Sequence, residues 1–145
     1  MTLAPRTLAF AVALLAAPAA AQGVEVAKTA TCGCCAAWVR HMEAAGFETR
    51  TEDMDHGSLA RLKIAAGITP ETASCHTAMV DGYVVEGHVS AEDVRRLLAE
   101  RPDAVGIAVP GMPIGSPGME MGSEREPYEV VLIRRDGALE TFARR

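Results

Sequence analysis

Three of the four cysteines fall within Thr31-Cys32-Gly33-Cys34-Cys35, and the fourth, Cys75, is followed directly by His76. Thiolates crowded in this way suit two kinds of chemistry: ligation of a soft metal ion, or exchange of disulfides. In the metal reading Cys32, Cys34, Cys35 and Cys75 are thiolate ligands and His76 is an adjacent imidazole. Three thiolates from one tight turn cannot easily surround a single tetrahedral ion, whereas sulfurs shared between ions relieve that constraint. Copper, as more than one ion, is therefore favoured over a single structural zinc, and a zinc-stabilised binding module is kept as an alternative. In the redox reading Cys32 and Cys35 form a Cys-x-x-Cys couple. Cys34 is then the awkward member, because a third thiol would intercept a mixed disulfide. The spacing disfavours two purely structural disulfides. Rings closed within the cluster are tight, and one bridge to Cys75 leaves two thiols side by side.

The elements around these residues explain why thiolates would form there. A strand-like run over residues 24–28 precedes the cluster, and a helical pattern follows it. Trp38, Met42 and Ala45 recur at helical spacing, with Cys35 and Val39 adjoining that face, and Gly46 is placed to stop the helix. Cys34 and Cys35 then lie in the first turn and Cys32 just before it, where unpaired N–H groups and the helix dipole favour the anion. Trp38 and Met42 read as core, and His41 as a solvated residue off the core face. Residues 47–52 read as a second strand and residues 53–57 as an exposed turn rather than an Asp/His metal site. Ser58 is positioned to cap a helix over residues 59–66, ended by Gly67. Cys75-His76 opens a strand over residues 77–80, Asp81-Gly82 is a two-residue hairpin turn, and residues 83–86 return. Gly87-His88 follows at the strand end; His88 is a candidate additional ligand, although a solvated position is the plainer reading. Ser90 starts a third helix, with Asp93 at the capping-box position and Val94, Leu97 and Leu98 on its core face.

The tail is different in character. Residues 107–122 are rich in Gly, Pro and Met, a long loop of the kind that is usually functional or disordered. Met112, Met119 and Met121 offer thioethers, which suit Cu(I), or else pack the loop onto the fold. Residues 128–133 and 139–142 form a hairpin around Asp136-Gly137. The expected fold class is α/β: a thioredoxin-like mixed sheet flanked by helices, with a Gly/Pro/Met-rich loop and a C-terminal β-hairpin. In that arrangement the loop before the third strand approaches the start of the first helix, so Cys75 and His76 should meet the other three cysteines.

Composition bounds the setting. The chain has 145 residues and a formal net charge of −5. Arg6, an uncharged run rich in Ala, Leu and Val up to Ala20, and the small residues Ala19 to Ala21 make residues 1–21 a secretory signal peptide, with Gln22 as the new N-terminus. The apolar run is too short for a comfortable membrane span of about 20 residues. Residues 22–145 then form one domain, with no membrane association after cleavage. There is no basic run, and aromatic residues make up only 4% of the chain, so nucleic acid is not an expected partner. Export to an oxidising compartment, the periplasm, requires four cysteines to be paired, metal-bound or redox-active.

The motifs Thr31-Cys32-Gly33-Cys34-Cys35 with Trp38, Ser74-Cys75-His76-Thr77, residues 80–89 and residues 111–120 resemble the CopG-like periplasmic copper-resistance proteins, a metal-binding family. The resemblance covers nearly all of residues 22–145. It implies a thioredoxin-like fold with copper held by the Cys-x-Cys-Cys and Cys-His motifs, which map onto Cys32, Cys34, Cys35, Cys75 and His76 without substitution. It also implies a role in copper tolerance, with electron movement between Cu(I) and Cu(II). Expected partners are copper ions and, beyond them, periplasmic copper-handling or electron-transfer proteins. A copper-dependent oxidoreductase and a thiol-disulfide oxidoreductase using Cys32 and Cys35 both stay open as enzymatic readings.

Overall fold

Val24 and Val26 are buried and Gly23 and Glu25 exposed, the alternation of a strand with one face on a core, before Ala27 and Lys28 are buried as well. This strand, β1 (Gly23–Lys28), leads through the cysteine turn into α1 (Gly33–Ala44). The chain continues through β2 (Glu48–Asp53), α2 (His56–Ala65), β3 (Thr77–Val80), β4 (Tyr83–Glu86), α3 (Ala91–Glu100), β5 (Ala104–Ala108), β6 (Glu129–Arg134) and β7 (Leu139–Arg144). The computed structural model describes residues 23–145; the expected signal peptide, residues 1–21, and Gln22 lie outside the described residues.

All seven strands form one mixed sheet in the order β2-β1-β3-β4-β5-β6-β7. β1 pairs with β2 in parallel and β4 with β5 in parallel; the other neighbours are antiparallel. The chain is thus an α/β protein, and the order β2-β1-β3-β4 with its three helices is compatible with the expected thioredoxin-like arrangement. Trp38, Val39 and Met42 of α1 and Val94, Leu97 and Leu98 of α3 share a core with Val24, Val26, Ala78 and Val85 on one sheet face. A smaller cluster of Ile68, Val84, Ala108 and Ile133 lies apart from it. Adjacent residues Val84 and Val85 belong to different clusters, as period-two alternation requires, so the small cluster sits on the opposite face.

The helix ends follow local chemistry. The Cys32 sulfur accepts the Cys35 N–H at 3.3 Å and caps α1, while Gly46, at a φ of +89°, ends the segment. Helix α2 begins earlier than Ser58. Asp55 is its N-cap, accepting the Ser58 N–H at 2.9 Å, and the Ser58 hydroxyl donates to the same carboxylate at 2.6 Å. Ser90 caps α3 by accepting the Asp93 N–H. His41 is not a solvated residue. It is half-buried, and its Nε2 accepts the Ala91 N–H at 3.1 Å, so it completes the start of α3.

Strand β5 was not anticipated, because the sequence reading placed Ile107 at the start of a loop. Ala104, Gly106, Ile107 and Ala108 are buried at the centre of the sheet. A Cβ on Gly106 would lie 1.8 Å from the Val84 carbonyl oxygen, so only glycine fits between these strands. The long loop after β5 is ordered by its own turns. Gly115 N–H donates to Met119 O, and Ser116 N–H and Oγ both donate to Pro113 O.

Candidate metal centre

Helix α1 carries the cysteine cluster at its N-terminus, and the segment before β3 carries Cys75 and His76. The structure brings the two together. The Cys34 sulfur lies 3.7 Å from the Cys75 sulfur and 3.5 Å from the Cys32 sulfur. Cys32 and Cys35 are joined by a disulfide, and Cys34 and Cys75 are free, half-buried thiols. The four sulfurs lie within 4.8 Å of one another. One atom each from Cys75, His76 and His88 also falls within 4.8 Å of the other two, so Cys75 belongs to both groups.

His88 is completely buried, not solvated. The hairpin register explains this. Asp81-Gly82 forms the turn, Val80 pairs with Tyr83, and Thr77 pairs with Glu86. Counting on, His76 falls opposite Gly87, whose N–H donates to His76 O at 3.0 Å, and Cys75 falls opposite His88. The His88 Nδ1 is 2.8 Å from the Pro117 carbonyl oxygen. That oxygen can only accept, so Nδ1 carries the proton and Nε2 presents its lone pair. Nε2 is 3.0 Å from the Cys75 sulfur. Burial, followed by the neighbouring Cys34, pushes the Cys75 thiol up to about 12, so at neutral pH its S–H donates to His88. A ligand histidine held by a backbone carbonyl through its other ring nitrogen is a recurring arrangement around metals.

His76 is also completely buried, and its Nε2 has no hydrogen-bond partner. Its ring centroid is 4.4 Å from that of Trp38 and 5.1 Å from that of His88. Burial above all, with smaller contributions from His88 and Lys63, pushes its pKa down to about 3, so it stays neutral and able to donate a lone pair. A buried imidazole nitrogen without a partner is costly unless something occupies it. The donor set of thiols and neutral imidazoles fits a soft or borderline ion such as Cu(I). Trp38 therefore does more than fill the core: its ring packs at a tilt against His76, and its indole N–H donates to Val89 O at 2.7 Å.

The thiols open onto a cavity of about 400 Å³ whose walls include Cys32, Cys34, Cys75, His56, Lys63 and Met112. Of the three candidate methionines, Met112 lines this cavity and is half-exposed. Met119 and Met121 are not among its walls, and Met121 lies in an exposed turn bridged to Glu124. The loop they belong to reaches the site by its backbone instead. Pro117 O holds His88, and Gly118 lies so close to α1 that a Cβ there would meet Cys34 O at 2.7 Å and Trp38 N at 2.8 Å.

An α/β sheet with four sulfurs and two buried imidazoles gathered at one end defines a protein able to take a soft metal. Two solved structures of a copper resistance protein, copG, sharpen this. The form 2 chain is 42% identical, with a TM-score of 0.80 over 86% of this chain and 98% of that one. The form 1 chain is 44% identical, with a TM-score of 0.79 over 85% and 96%. The chain belongs to the CopG copper-resistance family. Residues 72–119 match the family model described as protein of unknown function, DUF411, and no match is found among curated proteins. Among the described residues, no helix is long and apolar enough to cross a membrane.

Proposed function

We propose that this chain is an exported copper-binding protein that holds Cu(I) on Cys32, Cys34, Cys35 and Cys75 and serves copper tolerance. His76 and His88 complete the ligand shell, and residues 1–21 are removed as a signal peptide on the way to the periplasm, leaving 22–145 as the working domain. The observation that carries the reading is the placement of all four sulfurs within 4.8 Å of one another, close enough to be shared between ions. Met112 at the cavity wall is the thioether that hands Cu(I) to the thiols.

The Cys32–Cys35 disulfide makes capacity depend on redox state. Reducing it takes two electrons and two protons and yields two more thiols; ligation then releases the thiol protons. With the disulfide closed, Cys34, Cys75 and the two histidines remain as the smaller ligand set. Copper bound among these residues supplies one-electron chemistry between Cu(I) and Cu(II), and the chain's part is to fix the ligands and limit water. The test is competitive loading of reduced, signal-free protein with Cu(I) and Zn(II), with copper counted per chain and free thiols titrated. More than one copper per chain with all four thiols protected supports the reading; preferential zinc retention, or no tightly held copper, overturns it.

The disulfide favours a second reading, a thiol-disulfide oxidoreductase. Cys32 precedes α1, Cys35 is buried behind it, and Cys34 lies within 3.5 Å of the Cys32 sulfur. Reductase turnover that persists with copper chelated and is lost in Cys35→Ser but not Cys34→Ser would establish it.

A further inference from the structure

A buried ion pair lies against the Cys75–His76 dipeptide. Glu86 is completely buried at the end of β4. Its Oε1 accepts the Ser74 N–H at 2.7 Å and the Lys63 ammonium at 2.5 Å; its Oε2 accepts the Thr77 hydroxyl at 2.7 Å. Lys63 also donates to the Thr77 hydroxyl oxygen at 2.9 Å. One carboxylate therefore grips the residue before the dipeptide and the residue after it.

This arrangement is expensive as a stability device. Glu86 is wholly withdrawn from water and Lys63 largely so, a desolvation cost that the attraction between them offsets only in part, and such pairs are often replaceable by apolar side chains without loss of stability. The backbone ladder already joins Thr77 to Glu86. What the carboxylate adds is its bond to Ser74, just outside the strand, which ties to β4 a segment otherwise bonded, from the Ser74 hydroxyl to Gly111 O and from the Gly111 N–H to Ala73 O, to the long loop. Lys63, in turn, is the one Lys or Arg among the residues lining the thiol cavity.

We infer that Lys63 and Glu86 are positioning residues that set the Cys75 sulfur at bridging distance from Cys34, with Lys63 at the wall of the thiol cavity. The inference rests on the copper reading for its purpose, but sulfur placement can be measured without copper. Phenylarsine oxide is a suitable probe. Its arsenic forms two As–S bonds, and its oxygen leaves as water with the two thiol protons. The second bond is intramolecular, so its strength follows the separation of the sulfurs. In full-length mature protein with the Cys32–Cys35 disulfide intact, Cys34 and Cys75 are the dithiol that the arsenical finds.

The decisive comparison is among wild type, Glu86→Gln and the double variant Lys63→Met with Glu86→Leu. The Gln amide can still accept from Ser74 and donate to Thr77, so Glu86→Gln should capture the arsenical as wild type does. The double variant removes the grip but keeps apolar bulk. It should stay folded by circular dichroism and urea titration, yet lose arsenical and Cu(I) affinity by about tenfold or more. A folded double variant that captures both probes as wild type does overturns the inference. Should the double variant fail to fold, Glu86→Leu alone removes the acceptor for the Ser74 N–H while leaving Lys63 at the cavity wall, and unchanged arsenical capture by that folded variant overturns the inference equally. Wild type that captures the arsenical but no Cu(I) would remove the copper function and leave the positioning role standing.

Discussion

Gly118 offers a sharp test of how the long loop is seated. Its φ is +86°, and an added Cβ would lie 2.7 Å from Cys34 O and 2.8 Å from Trp38 N, both backbone atoms of α1. Gly137, in the turn between β6 and β7, has the same φ of +86° with nothing within 4 Å. The pair separates two costs. Alanine at Gly137 meets only the left-handed backbone penalty, about 1–2 kcal/mol. Alanine at Gly118 meets the same penalty and must also push the loop off the helix, roughly another 1–3 kcal/mol by analogy with overpacked cores. A difference of about 2 kcal/mol, at a slope of about 1–3 kcal/mol per molar urea, places the Gly118→Ala midpoint roughly 1 M below that of Gly137→Ala. The displaced loop also takes the Pro117 carbonyl from His88, so Gly118→Ala should hold Cu(I) less well while Gly137→Ala holds it as wild type does. Equal urea midpoints for the two variants would refute the reasoning, because they would mean the loop does not rest on α1 as described.

Other expectations follow from the same structure. His88→Ala removes the acceptor facing the Cys75 thiol, and Cu(I) affinity measured by chelator competition should fall about 10–100-fold with the fold retained. Apo-protein stability should decline in acid. His41, His76 and His88 all have pKa values below the ordinary 6.5, chiefly through burial, so the unfolded chain binds their protons first. Their stability contribution is complete above about pH 6.5 and is lost as pH falls below it. For His76, held down to about 3, the loss is about 1.4 kcal/mol per pH unit through that window. Urea midpoints at pH 7.5 and 5.0 check the sign, and a midpoint that rises in acid would contradict it. Gly106→Ala forces a Cβ into the Val84 carbonyl and should cost at least about 3 kcal/mol, read as loss of the cooperative thermal transition. Met112→Ala should slow Cu(I) uptake from a weak chelator while Met121→Ala leaves the rate unchanged; equal rates would remove Met112 from the path.

What could be read from the residues depended on whether the signal was local. Helix α1 announces itself through the spacing of Trp38 and Met42 and the stop at Gly46, and the β3–β4 hairpin through Asp81-Gly82. The meeting of Cys75 with the α1 cysteines was expected by analogy with the thioredoxin-like arrangement that the order of elements suggests. Helix α2 started earlier than expected because Asp55 and Ser58 are both good caps, and the Ser58 hydroxyl in fact serves Asp55. Strand β5 was hidden because a central strand need not alternate and Gly106 looks like a breaker. His88 was undervalued although the signal was present: a two-residue turn dictates register, and counting outward from it puts His88 opposite Cys75. Glu86 had no such signal. A glutamate in a strand looks solvated until Lys63, from helix α2, is known to sit beside it.

The packing of Trp38 against His76 has an optical consequence. The chain has one tryptophan, so its emission comes from a single known place. That indole is completely buried, lies 4.4 Å from the His76 ring, and follows the cysteine cluster in the same helix. Short-range quenching by a bound ion, by a closing disulfide or by a protonated imidazole would dim it without any attached label. The side chain that fills the core also reports on the site, and a fluorimeter can follow filling and emptying in real time.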